Sequence, residues 1–171
     1  TGTKTETFTI AVPLPTITSF TPTSAVTGAT VTLTGTNFTG ATAVSFGGTA
    51  ATSFNVVSAT SITAVVAAGT SGNVSVTTPG GTAVLAGFTF IPAPVITSFS
   101  PASGPVGSLV TITGTNLGTP TAFTIGGTAA IVISNTGTSL VGMVMPGSAT
   151  GTISLTTAGG SATSTGTFTL S

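Results

Sequence analysis

The chain has 171 residues, 40% of them hydrophobic, with 24 Gly and 10 Pro, and threonine supplies about a quarter of it. Lys4 and Glu6 are its only ionisable side chains, whereas a typical globular domain is about 25% charged. Clustered cations for nucleic-acid phosphates or an anionic membrane surface are therefore missing. With no His, Cys or Asp, so are the general bases, paired carboxylates and soft ligands that catalytic and transition-metal sites are built from.

The first predicted element is a strand over residues 7–12, with Phe8, Ile10 and Val12 alternating on one face. It runs into Pro13-Leu14-Pro15. Thr30-Val31-Thr32-Leu33-Thr34 alternates strictly, which places Val31 and Leu33 on a core face and three threonines outside. Val44 and Phe46 form the next pair, followed by Gly47-Gly48, a hairpin turn of the type that needs positive φ. Val74 and Val76 alternate likewise before Pro79-Gly80-Gly81, a second tight turn expected to use positive φ, and Phe88 and Phe90 close the series. Ile91-Pro92-Ala93-Pro94 then interrupts the pattern, because each proline fixes φ and biases the preceding residue towards extended backbone.

Beyond this joint the chain begins again. Pro94-Val-Ile-Thr-Ser-Phe99-Ser-Pro101 repeats Pro15-Thr-Ile-Thr-Ser-Phe20-Thr-Pro22, and Gly107 to Leu117 repeats Gly28 to Phe38. Ile125-Gly-Gly-Thr-Ala-Ala130 repeats Phe46-Gly-Gly-Thr-Ala-Ala51. The pairs Pro15 and Pro94, Gly35 and Gly114, and Gly80 and Gly159 are each 79 positions apart. Strand signals every ~8–12 residues within so long a period indicate one β-sandwich of about seven short strands per repeat. The expectation is an all-β chain of two tandem immunoglobulin-like sandwiches, 13–91 and 92–171, joined by a short Pro-rich linker.

The order of motifs, Pro-x-Ile-x-Ser-Phe-x-Pro, Gly-x-x-Val-Thr-Leu/Ile-x-Gly-x-Asn-Phe/Leu and Phe/Ile-Gly-Gly, resembles the IPT/TIG immunoglobulin-like domain, here of the bacterial cell-surface type. The resemblance covers residues 15–91 and 94–171. It implies a fold and a spacer or interaction role, and no single activity. DNA-binding members of that family use basic loops, which this sequence lacks.

Residues 7–12 resemble the last strand of the first repeat, since Phe8-Thr-Ile10 and its Pro-x-Pro exit parallel Phe88-Thr-Phe90 and Pro92-Ala-Pro94. They read as a final strand without a sandwich of its own: either part of a preceding repeat, or a strand that docks into a neighbouring molecule through Phe8, Ile10 and Val12. Pro-rich joints act as semi-rigid spacers, so the joint at Ile91, Pro92 and Pro94 suits a rod.

Other signals are weaker. Asn37-Phe-Thr39 and Asn73-Val-Ser75 fit the N-glycosylation pattern, although Asn116, the counterpart of Asn37, lacks the hydroxyl residue and points to turn geometry instead. O-linked sugar on outward threonines would solubilise a chargeless surface. Trp and Tyr are absent and the ten Phe mostly take inward strand positions, which leaves little for stacking on sugars. No catalytic residue, cofactor or metal ligand is assigned, and no apolar run reaches the ~18 residues that span a bilayer.

Three functions follow. The first is a non-enzymatic repeat segment of an extracellular surface fibre, stalk or adhesin. The second is a self-assembling filament or sheath subunit, whose partners are copies of itself or flanking repeats. The third is an accessory domain of a secreted carbohydrate-active enzyme.

Overall fold

The structure, a computed structural model, describes residues 11–171. These divide into two compact units, with the boundary between Phe90 and Ile91. The first contains β1 (Thr16–Thr21), β2 (Ser24–Ala25), β3 (Thr30–Thr36), β4 (Ala43–Phe46), β5 (Thr49–Ala50), β6 (Ser53–Ser58), β7 (Ser61–Val65), β8 (Gly72–Thr78) and β9 (Gly81–Phe90). One sheet has the order β1-β3-β7-β6 and the other β2-β9-β8-β4-β5. Every pairing is antiparallel except β2 with β9.

The second unit repeats this plan with β10 (Val95–Ser100), β11 (Ser103–Gly104), β12 (Leu109–Thr115), β13 (Ala122–Ile125), β14 (Thr128–Ala129), β15 (Ile131–Asn135), β16 (Ser139–Met143), β17 (Gly151–Thr157) and β18 (Gly160–Leu170). Its sheets run β10-β12-β16-β15 and β11-β18-β17-β13-β14. Each module thus has seven strands of four or more residues, the number expected from the sequence, plus two of only two residues. These short pieces leave no alternation to read. β2 and β11 rest on the ends of β9 and β18, and β5 and β14 return from the Gly-Gly hairpins.

The cores follow the period-2 pattern. Val31, Leu33, Val74 and Val76 are fully buried in the first module, as are Val110, Ile112 and Ile153 or nearly so in the second. Phe88 is the aromatic hub of the first core, 4.9 Å from Phe46 and 6.4 Å from Phe20 between ring centroids. Burying side chains of this size contributes about 1.5–3 kcal/mol each, and the whole core must offset the ordering entropy of a small domain.

Two core positions have changed together between the modules. Ala64 lies opposite Val31 and Gly142 opposite Val110 at the same point of the ladder. Val44 on β4 corresponds to Phe123 on β13. A Cβ at Gly142 would lie against the Phe123 ring, 2.5 Å from Cζ. The larger ring fits because the strand across the core gave up its methyl.

Gly47 and Gly48 have φ of 56° and 81°, as the two-residue hairpin demands. The Pro79-Gly80-Gly81 turn departs from expectation. Gly81 does have positive φ, at 136°, but Gly80 does not need it. A Cβ at Gly80 would collide with the Pro13 carbonyl, so that glycine is there for close approach.

Candidate functional site

The contact at Gly80 is one half of a clamp that recurs in both modules. In the first, the Asn37 side-chain amide donates to the Leu14 carbonyl at 2.8 Å. Asn37 takes φ 58° just after β3, a left-handed conformation that Asn tolerates better than most residues, and this aims its amide back at the lead-in Val12–Pro15. The β8–β9 turn closes from the other side, with the Pro13 carbonyl against Gly80 and the Leu14 side chain against Gly81. Pro15 is buried in its own module.

The second module repeats the amide bond and the carbonyl contact, with Ala93 in the place of Leu14. Asn116, with φ 56°, donates to the Ala93 carbonyl at 3.0 Å, the Pro92 carbonyl lies against Gly159, and Pro94 is buried. On the other side of the joint, Phe90 ends β9, and its N–H donates to the Ser71 hydroxyl at 2.9 Å. Ile91 is the one residue between a strand anchored in the first module and a lead-in anchored in the second. Its own ψ is held extended by Pro92. The joint residues Ile91, Pro92 and Pro94 thus have distinct local roles: a short free link, a carbonyl stop and a buried anchor.

Of the candidate docking residues, Phe8 and Ile10 lie outside the described residues. Val12 is 52% exposed and belongs to no strand. Both modules already contain their own final strands, β9 and β18, paired along β8 and β17.

Of the two glycosylation candidates, Asn37 uses its amide nitrogen, the atom a glycan would occupy, to hold the lead-in. Asn73 is exposed on β8. Of the nine Phe residues described, six are buried, and Phe54, Phe90 and Phe99 are half-buried and packed against the cores. A surface depression of about 600 Å³ beside β15 is lined by Gly118, Thr119, Pro120, Val132, Asn135, Thr136 and Gly137, without an ionisable group. Among the described residues no group of His, Cys, Asp or Glu gathers to hold a metal. Among the described residues no helix is long and apolar enough to cross a membrane.

Sequence reading missed Asn135. Its amide donates to the Leu117 carbonyl at 2.7 Å and its Oδ1 accepts from the Gly137 N–H at 2.8 Å. This closes the β15–β16 turn against the loop that carries Asn116. The first repeat gives no clue to it, because Val56 holds the register-equivalent place there and the β6–β7 turn is built around Ser58 and Thr60 instead.

The family model described as the IPT/TIG domain matches residues 15–90 and 94–170. No curated protein matches. Among solved structures, SGBP-B from a complex xyloglucan utilization locus in Bacteroides uniformis is 23% identical, covering 92% of this chain and 50% of that one, with a TM-score of 0.42. The surface glycan-binding protein from Prevotella bryantii is 18% identical over 93% of this chain and 43% of its own, with a TM-score of 0.45. The extracellular region of plexin A4 is 20% identical over 92% and 18%, with a TM-score of 0.44. The chain spans half or less of the length of each of these proteins.

Proposed function

The chain belongs to the IPT/TIG domain family, and we propose that it serves as a non-enzymatic structural segment of a longer extracellular protein, holding what lies beyond it at a set distance. The observation that carries this reading is the clamped lead-in. Each module fixes its own Pro-x-Pro approach through one Asn and one Gly, so the chain leading into each repeat is ordered by residues inside the repeat itself. A surface with no charged side chain from Pro13 onward presents hydroxyls, amides and apolar groups that do not titrate, which suits a part whose stability varies little with pH.

An accessory role in binding sugar would call for exposed aromatic rings, and the described Phe residues are turned inward. Assembly through the N-terminal strand remains the second reading. It is favoured by the match of Phe8-Thr-Ile10 to Phe88-Thr-Phe90, together with the fact that β9 and β18 already fill the final-strand positions of both modules.

Pulling the full chain between its termini tests the structural role. Two unfolding steps are expected, each releasing about 26–29 nm of contour for ~80 residues at roughly 3.3–3.6 Å apiece. Extension without discrete steps would mean that the modules do not bear load, and would remove the proposal.

A further inference from the structure

Each module contains one strand pairing unlike the rest. β2 runs parallel to β9, with Ser24 opposite Thr89 and Ala25 opposite Phe90. β11 runs parallel to β18, with Ser103 opposite Thr169 and Gly104 opposite Leu170. Among the described residues every other pairing is antiparallel. The exceptions involve particular strands. β2 lies near the entry of the chain into the first module, directly after β1, and β9 is the strand by which the chain leaves. β11 and β18 hold the same places in the second.

A parallel pair at entry and exit has a mechanical consequence. Tension between the ends draws β2 back along its axis towards the lead-in and draws β9 forward towards the exit. The two strands are pulled in opposite directions along a shared axis, so the bonds between them are loaded together. An antiparallel hairpin such as β6–β7, pulled at its free ends, would instead open one bond at a time. β1 and β2 follow each other in the chain but lie in different sheets. Stripping the module from its entry side must release β1 from β3 and β2 from β9. Stripping it from the exit side must release β9 from β8 and again from β2. Both routes break the β2–β9 link.

The tip of the exit strand is also held from both flanks, in the same way in both modules. The Thr89 N–H donates to the Thr23 carbonyl at 2.9 Å, and the next N–H, of Phe90, donates to the Ser71 hydroxyl at 2.9 Å. In the second module the Thr169 N–H donates to the Ala102 carbonyl at 2.9 Å and the Leu170 N–H to the Thr150 hydroxyl at 3.0 Å. Ser71 and Thr150 stand just before β8 and β17, whose ladders end at Phe88 and Phe168. A side-chain oxygen thus continues the hold where the backbone ladder stops. The second module adds a bond from the Ser171 N–H to the Gly104 carbonyl at 3.2 Å.

We propose that these links, β2 with β9 and β11 with β18, are shear locks that keep each module folded under tension. A strand of two residues then governs mechanical lifetime out of proportion to its share of equilibrium stability. The role deepens that of a spacer and rests on it.

Holding the full chain at constant force between its termini, and timing the two unfolding events, tests the locks. Thr89→Pro removes the donor to Thr23 and should shorten the lifetime of one module about 2–10-fold, leaving the other unchanged. Thr169→Pro should do the same to the other module. Ala51→Pro also deletes one backbone donor, to the Val44 carbonyl at 2.9 Å, but it lies off both routes. It should lower the urea midpoint without shortening either lifetime. Ser71→Ala and Thr150→Ala change exposed positions, keep every backbone donor, and should shorten the lifetimes of their modules; they decide the matter if a proline variant does not fold. Equal shortening by Ala51→Pro and Thr89→Pro would overturn the locks and leave the spacer reading standing. Lifetimes untouched by Thr89→Pro, or by Ser71→Ala and Thr150→Ala, would do the same. Extension without discrete events would remove both.

Discussion

Gly142→Ala is a small change with a calculable consequence. The added methyl would point at the Phe123 ring, with Cζ 2.5 Å away, and Phe123 is itself only 6% exposed and cannot swing into solvent. Forcing one methyl into a packed core costs about 1–3 kcal/mol. For a domain of this size that lowers the midpoint of thermal unfolding by roughly 4–8 °C per kcal/mol. Phe123→Val alone leaves a void and should cost about 2–3 kcal/mol. Combined, the two substitutions recreate the Val44 and Ala64 arrangement of the first module, so the double variant should recover about 2 kcal/mol or more of the summed loss, a coupling well above the ~0.5 kcal/mol of independent sites. Urea unfolding of the full chain, followed through amide resonances of the second module, separates its transition from that of the first. Additive single and double variants would refute the claim that ring and glycine are one packing unit.

Other expectations follow from the clamp and the composition. Asn116→Gly keeps the left-handed backbone and loses only the bond to Ala93, costing about 1 kcal/mol; Asn116→Ala adds about 1 kcal/mol of backbone strain, and equal losses in urea melts would contradict the division. Gly159→Ala should displace the Pro92 carbonyl and raise amide exchange along Ile91–Pro94, where unchanged exchange would count against close approach as the reason for that glycine. From Pro13 onward folded and unfolded chains bind the same number of side-chain protons, so neither side of the linkage slope dominates. Stability should change by less than about 0.5 kcal/mol between about pH 4 and 9, and a larger swing in unfolding midpoints would contradict this.

The parts of the fold legible in the sequence are those written by local period. Val31 and Leu33, Val44 and Phe46, and Val74 and Val76 announce their strands and their buried face, because a strand between water and a core must alternate. The 79-residue offset then gave the module count without further physics. What stayed hidden depends on partners far away in sequence. Gly80 looks like an ordinary turn glycine until Pro13 is placed against it. Asn37 reads as a glycan acceptor or a turn residue, and the turn geometry is borne out by its positive φ, but its bond to Leu14 spans 23 positions. The outer-face change from Thr30 to Leu109 was visible as letters. That Leu109, Met143 and Ile131 stand side by side needed the register.

The spacer proposal rests most heavily on the link at Ile91, flanked by the Phe90–Ser71 bond on one side and by the Asn116 and Gly159 clamp on the other. Spin labels on Asn55→Cys and Thr138→Cys, both exposed positions in a chain without native cysteine, report the distance between modules by electron double resonance. A single narrow distance distribution is expected, broadening when Pro92→Gly and Asn116→Gly are introduced together. A broad distribution in the unaltered chain, no narrower than in that variant, would contradict the claim that these repeats set spacing.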